Sequence, residues 1–89
     1  MNTNFHLGKL IRKELDQQQR TVKWFAQQIN CERSTCYYIF DRKYIDIPLL
    51  EKISIALNHN FCNELAEYIE NIIKNNVQNY SIQVSKNIQ

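Results

Sequence analysis

Glycine and proline are almost missing from this sequence, since each occurs only once in 89 residues. The tight turns of all-β proteins need residues that adopt positive φ or that fix φ, so this scarcity excludes a β-sandwich or a β-barrel. It also excludes a glycine-rich loop that binds phosphate. A chain of this length builds one small core. The architecture that remains is an all-α bundle with short polar connections.

Cysteine is scarce as well. The chain has three cysteines, an odd number that does not suit a disulfide framework. Cys31 and Cys36 lack the C-x-x-C spacing of metal and redox sites, and neither His6 nor His59 lies at ligand spacing from them. We therefore expect buried thiols in a reducing cytosol, with no metal site and no cofactor.

Long apolar runs and catalytic groupings are also missing. No apolar stretch approaches the roughly 18 residues of a membrane span, and the N-terminus lacks the pattern of a signal peptide. A cytoplasmic protein without membrane contact is expected. There is no Ser/His/Asp set and no cysteine with a histidine partner, so we do not expect an enzyme. Glu64, Glu67 and Glu70 are expected to form a solvated face.

Charge is divided unevenly along the chain, although the net charge is only +2. Residues 1–45 contain eight Lys/Arg and four Asp/Glu, whereas residues 46–89 contain three and five. A basic half favours a polyanionic partner. A solvated surface with a chance asymmetry is the alternative that charge alone leaves open.

Apolar residues recur at helical spacing in successive segments, which predicts five amphipathic helices. The predicted helices cover roughly residues 5–18, about eight residues after Thr21, residues 33–41, the segment between Asp46 and Asn58, and a segment from Phe61 to about Val77. Thr21 and Asp46 suit N-caps, Asn30 tolerates the left-handed conformation that ends a helix, and the fourth helix is expected to end at Asn58. Cys31 is expected to pack on Cys36 as a hydrophobic staple.

The apolar stripes of these helices predict the core. The residues assigned to it are Phe5, Leu10, Phe25, Ile39, Leu50, Ile53, Leu57 and Phe61. Trp24 is expected to pack on the edge of its helix. No apolar residue of the first four helices is expected to remain exposed.

In the fifth helix, however, an apolar stripe continues past the point where a small core is full. This stripe consists of Ile69, Ile72, Ile73 and Val77, and it predicts a homodimer formed through the later half of that helix.

The last residues change character, because Tyr80, Ile82 and Val84 alternate with polar residues at strand spacing. Such a strand either pairs with a second copy or is a frayed tail. The chain is therefore divided into residues 1–68, a helical domain, and residues 69–89, a helical extension and tail that is a candidate for dimerisation.

The main functional feature is a helix, a short turn and a second helix within residues 21–41. This arrangement presents the second helix outward. Its exposed side chains are predicted to be Arg33, Ser34, Tyr37 and Tyr38, a set suited to contact with bases in a DNA major groove. Four further residues are candidates for phosphate contact, namely Thr21, Lys23, Arg42 and Lys43. For Thr21, capping alone is the alternative.

Residues 25–41 (FAQQINCERSTCYYIFD) resemble the helix-turn-helix of the phage-repressor-like (XRE) transcriptional regulators. Residues 49–58 (LLEKISIALN) are similar to the fourth helix of that family, and the likeness extends over residues 5–66. It implies a lambda-repressor-like five-helix domain that binds double-stranded DNA as a dimer. It also implies that the third helix reads bases through Arg33, Ser34 and Tyr38, with Tyr37 beside them.

The sequence departs from the family pattern at three positions. Asn30 replaces the turn glycine, Glu32 replaces a small hydroxyl N-cap, and Arg42 stands where a glycine often follows the third helix. Glu32 is a poorer cap, and its charge repels phosphate. The helix-turn-helix pattern as a whole nevertheless predicts a sequence-specific DNA-binding regulator whose helix-turn-helix DNA-binding domain is residues 1–68. The alternative is an antitoxin-like or adaptor module that keeps the fold but binds a protein partner.

Overall fold

The computed structural model describes residues 5–79, and this part of the chain folds as an all-α bundle of five helices without a strand. The helices are α1 (Leu7–Gln17), α2 (Val22–Gln28), α3 (Arg33–Asp41), α4 (Ile47–Leu57) and α5 (Phe61–Asn79). The prediction of a five-helix all-α fold is confirmed. The predicted strand at Tyr80–Val84 lies outside the described residues.

The predicted N-caps are confirmed. The hydroxyl of Thr21 accepts a hydrogen bond from the N–H of Trp24 at 3.0 Å, and the carboxylate of Asp46 accepts one from the N–H of Leu49 at 2.9 Å. Glu32 precedes α3 but makes no capping hydrogen bond with its side chain. The first turn of α3 is therefore held by something other than a side-chain cap.

Helix ends show the expected left-handed residues and two features that the sequence did not reveal. Asn30 adopts φ of 59°, as predicted, and Asn58, where the fourth helix was expected to end, adopts φ of 52°. Gln19 also adopts a positive φ, 57°, in the connection between α1 and α2. His6 caps α1, because its Nδ1 accepts a hydrogen bond from the N–H of Lys9 at 3.1 Å.

The core consists of apolar side chains from all five helices and their connections, and within residues 5–76 no polar or charged residue is buried. Its members are Phe5, Leu7, Ile11, Leu15, Phe25, Ala26, Ile29, Cys36, Ile39, Ile45, Leu50, Ile53, Leu57 and Phe61. Every predicted core residue belongs to this set except Leu10. That prediction was wrong, because Leu10 is only half-buried at the edge of the core. Ile45 was missed, since it stands among charged residues in the connection between α3 and α4.

The single glycine lies where α1 crosses the end of α3. The N–H of Leu7 donates to the carbonyl of Lys43, and the N–H of Gly8 donates to the carbonyl of Arg42, each at 2.9 Å. A Cβ atom at position 8 would lie 2.4 Å from the carbonyl oxygen of Phe40. Only glycine permits this close approach, which fixes α1 against α3 and the loop that follows it.

Only the first part of α5 packs on the bundle. Phe61 is buried, and Leu65 and Tyr68 are half-buried against the core. The Tyr68 ring stacks on Phe5, with 4.3 Å between ring centroids. These contacts attach α5 to the N-terminal end of α1.

The later half of α5 is exposed. Ile69, Ile72 and Ile73 are 45%, 42% and 52% exposed. The helix has 19 residues, and every side chain described after Tyr68, over residues 69–76, is exposed. These isoleucines are therefore not covered by the described part of their own chain. Within residues 5–79, no helix combines the length and the apolar character that crossing a membrane requires.

The expectation that α1 to α4 leave no apolar side chain exposed was wrong. Ile47 is 62% exposed and Ile55 is 73% exposed, both on α4. Helix α4 carries apolar residues on more than one face, and only the face with Leu50, Ile53 and Leu57 meets the core. The exposed pair lines a groove of about 760 Å³.

Candidate nucleic-acid interface

A four-residue turn, residues 29–32, connects α2 and α3. Asn30 reverses the chain through its left-handed conformation, and the N–H of Cys31 donates to the carbonyl of Ala26 at 2.9 Å. The Sγ atoms of Cys31 and Cys36 lie 3.7 Å apart, which confirms the predicted contact between them. The turn therefore holds α3 against α2 in one orientation.

Helix α3 has a buried face and an exposed face. Cys36 and Ile39 are buried, and Phe40 is half-buried with its ring stacked on Phe25 at 5.8 Å between centroids. The opposite face carries all of the predicted base-contact residues, and each of them is exposed. They are Arg33, Ser34, Tyr37 and Tyr38. Because they are spaced i, i+1, i+4 and i+5, they form a single continuous surface.

The two phenols on this surface differ in how firmly they are held. The Tyr37 ring meets Phe40 edge-on, with centroids 5.9 Å apart and an interplanar angle of 87°. Tyr38 is 75% exposed. Tyr37 is thus oriented by an aromatic contact, whereas Tyr38 points freely into solvent.

Arg42 and Lys43 follow α3 directly, and both are exposed. Their carbonyl groups accept hydrogen bonds from the start of α1, so the backbone that carries these cations is fixed. The Lys43 ammonium lies 5.5 Å from the centre of the Tyr44 ring. The loop therefore presents two positive charges from a defined backbone.

Thr21 and Lys23 are exposed at the start of α2. The Thr21 hydroxyl oxygen serves as the N-cap, which leaves its O–H able to donate to another group. The Arg20 guanidinium lies 4.3 Å from the centre of the Trp24 ring. Trp24 itself is half-buried beside the core, so its predicted place on the helix edge is confirmed.

Two carboxylates share this region with the cations. Glu32 precedes α3 and Asp41 ends it, and both are exposed. Within residues 5–79, Arg33 forms no ion pair with either of them. The Arg33 guanidinium is therefore available to an external acceptor, while the two carboxylates disfavour phosphate at the ends of the helix.

A polar cluster that the sequence did not reveal lies away from α3. His59 Nε2 is 2.7 Å from Glu64 Oε2, and His59 Nδ1 is 3.6 Å from Glu14 Oε1. The Gln18 amide donates to Glu14 at 2.8 Å and to the carbonyl of Leu57 at 2.7 Å. These contacts link α1 to the start of α5.

The expectation that Glu64 is solvated was therefore wrong, because its carboxylate is half-buried against His59. Glu67 and Glu70 are exposed as expected. Among the described residues, no group of three or more His, Cys, Asp or Glu side chains is arranged to hold a metal ion. The contact of Glu14 on α1 with His59, which precedes α5, joins residues far apart in the sequence, so no local spacing predicts it.

Comparison of the chain with models of protein families, with curated proteins and with solved structures finds no match. The resemblance to phage-repressor-like regulators therefore depends on residues 25–41 and 49–58 alone.

Proposed function

We propose that this chain is a sequence-specific DNA-binding transcriptional regulator of the phage-repressor-like class. It acts in the cytoplasm as a homodimer and inserts α3 into the major groove. The observation that carries this proposal is the exposed surface of α3, where Arg33, Ser34, Tyr37 and Tyr38 stand opposite a buried apolar face. The expectation of buried thiols was right only for Cys36, since Cys31 is half-buried and Cys62 is exposed. Three unpaired thiols suit a reducing compartment.

The chemistry of this surface suits base edges. Arg33 offers two parallel donors to O6 and N7 of guanine, and Ser34 offers a hydroxyl to a donor or an acceptor. A phenol contacts a thymine methyl or a phosphate oxygen. An α-helix with its side chains is about 10–12 Å across, so α3 fits a major groove about 12 Å wide.

Phosphate contacts come from the elements that flank α3. Arg42 and Lys43 extend from a loop whose backbone is held by α1. Thr21 and Lys23 stand at the start of α2. These four groups position the protein on the duplex, while α3 supplies the sequence preference.

The homodimer follows from the exposed isoleucines of α5. Ile69, Ile72 and Ile73 form a helical stripe that the described part of the chain leaves uncovered. When two copies of α5 are related by a two-fold axis, the stripe of each helix covers the stripe of the other. The two α3 helices then occupy successive major grooves about 34 Å apart on a site with two similar halves.

Arg33→Ala is expected to lower the affinity for the specific site by about 1–3 kcal/mol and to relax the preference at one base position. Arg33→Lys is the matched variant, because it keeps the charge but loses the paired donors. Titration of both variants against cognate and random DNA checks this. An equal loss on both kinds of DNA would show that Arg33 contacts only phosphate.

Lys43→Ala is expected to weaken binding to every DNA sequence alike and to reduce the slope of log affinity against log salt by roughly 0.9, since one phosphate contact is lost. Lys13→Ala is the control, because Lys13 is exposed on α1 beside His59 and Glu64, away from α3. A slope that does not differ between the two variants would remove Lys43 from the interface.

The experiment that tests the whole proposal is an electrophoretic mobility shift with the DNA upstream of the protein's own gene, repeated over a range of salt concentrations. Binding that is specific and weakens steeply with salt supports the proposal, because phosphate contacts release counterions. Absence of a shift at low salt would count against it.

A second function, an adaptor or antitoxin-like module that binds a protein, is favoured by the exposed isoleucines of α4. Ile47 and Ile55 line the groove that also includes Ser54, Asn58 and Cys62. Exposed apolar side chains in a groove are typical of protein-binding surfaces. Partner binding that is insensitive to salt would favour this alternative over DNA.

A further inference from the structure

Two thiols are in contact at the start of α3. Cys31 Sγ lies 3.7 Å from Cys36 Sγ, and both cysteines are free. Cys31 is half-buried in the turn, whereas Cys36 is fully buried. Any two apolar side chains could make this packing contact, but two thiols at this distance can also be oxidised together to a disulfide.

We propose that Cys31 and Cys36 form a redox-active dithiol that hydrogen peroxide, or another hydroperoxide, converts reversibly into an intramolecular disulfide. A disulfide bond is about 2.05 Å long, so the two sulfur atoms need to approach by about 1.7 Å. The reaction adds no atom to the core. The burial of Cys36 would exclude a bulky group, but it does not prevent a bond to the neighbouring Cys31 sulfur.

The different exposure of the two thiols determines the order of the steps. Peroxide reaches Cys31 from solvent but does not reach Cys36. Burial and, to a smaller extent, the contact with Cys31 together raise the pKa of the Cys36 thiol to about 12. Cys36 is thus protonated at neutral pH and is a poor first nucleophile, since the thiolate is the reactive form. Cys31 attacks first, and Cys36 reacts second.

The two steps balance in atoms and electrons. The Cys31 sulfur attacks one peroxide oxygen, the O–O bond breaks, and a sulfenic acid forms while the departing hydroxide takes the Cys31 proton as water. The Cys36 sulfur then attacks the Cys31 sulfur, the S–S bond forms and the S–O bond breaks. The second hydroxide takes the Cys36 proton as water. Peroxide accepts two electrons and the two thiols lose them, and a thiol reductant reverses the change.

The bond would act on the first turn of α3. Glu32 provides no side-chain cap there, and the N–H groups of Thr35 and Cys36 donate to the Glu32 carbonyl at 3.0 and 3.3 Å. A disulfide fastens the turn to the helix next to these hydrogen bonds. Oxidation is therefore expected to slow hydrogen exchange at the amides of Thr35 and Cys36.

The test uses the full chain carrying Cys62→Ser, because the exposed Cys62 would otherwise link two chains. The protein is treated with hydrogen peroxide, denatured and alkylated, and its free thiols are counted by mass spectrometry. The expected result is that both thiols are lost together within single chains, without a disulfide between chains, and that dithiothreitol restores both. Loss of one thiol without the other, or a disulfide only between chains, would overturn the proposal.

Single variants in the same background test the order of the steps. With Cys36→Ala, Cys31 is expected to stop at the sulfenic acid, which dimedone traps. With Cys31→Ala, the chain is expected to resist peroxide until it unfolds. Trapping of a sulfenic acid on Cys36, or equal reactivity of the two variants, would contradict the assigned roles. None of these measurements depends on DNA binding.

Discussion

Gly8→Ala is expected to remove much of the stability of the fold, about 3–5 kcal/mol, because overpacking and two strained backbone hydrogen bonds add together. The new Cβ would lie 2.4 Å from the carbonyl oxygen of Phe40 and 2.5 Å from that of Ile39. Both atoms belong to the backbone, so no side chain can rotate away. The higher helix propensity of alanine, worth about 1 kcal/mol, offsets only part of this cost. Urea unfolding followed by circular dichroism measures the difference.

Lys9→Ala is the control for this substitution. Lys9 is the next residue of α1 and is exposed, so its replacement is expected to change the unfolding free energy by less than about 0.5 kcal/mol. Equal stability of Gly8→Ala and the natural protein would mean that α1 does not approach α3 as closely as described.

Ile72→Asp is expected to give a folded monomer whose affinity for a two-half site is lower by about a hundredfold or more. The substitution places a charge in the proposed contact between two α5 helices, where it would be buried without a partner. The isolated chain tolerates it, because Ile72 is 42% exposed. A monomer contacts only one half-site, so it loses the gain in affinity that two linked DNA-binding units provide. Sedimentation and DNA titration measure the two effects.

Ile55→Asp is the matched control, since Ile55 is an exposed isoleucine on α4 rather than α5. It should leave both the dimer and the DNA affinity unchanged. The opposite pattern, in which Ile55→Asp dissociates the dimer and Ile72→Asp does not, would move the interface to the groove on α4. A natural chain that is already monomeric at high micromolar concentration would exclude the dimer in the absence of DNA.

Features that depend on neighbouring residues could be predicted from the sequence. Thr21 and Asp46 cap helices through hydrogen bonds that span three residues, and Asn30 and Asn58 end helices through their own backbone conformation. The exposed face of α3 follows from helical periodicity in the same way. Local rules were therefore sufficient for the helices and for the candidate DNA-binding surface.

Features that depend on contacts between distant segments could not be predicted. The need for glycine at position 8 arises only when α1 meets the carbonyl groups at the end of α3. The contact of His59 with Glu14 likewise joins two elements that are separate in the sequence. Ile55 is exposed because the core packs against the opposite side of α4. Both sides of this helix carry apolar residues, so the sequence does not indicate which side is buried.

The hydrogen bonds from the N–H groups of Leu7 and Gly8 to the carbonyl groups of Lys43 and Arg42 bear on the order in which the chain folds. The turn between α2 and α3 closes through contacts between near neighbours, whereas the loop after α3 is completed by a segment far earlier in the chain. During synthesis that segment leaves the ribosome first and is already present when the loop emerges. A chain that lacks α1 would therefore lose the fixed backbone geometry of Arg42 and Lys43, the two cations that follow α3.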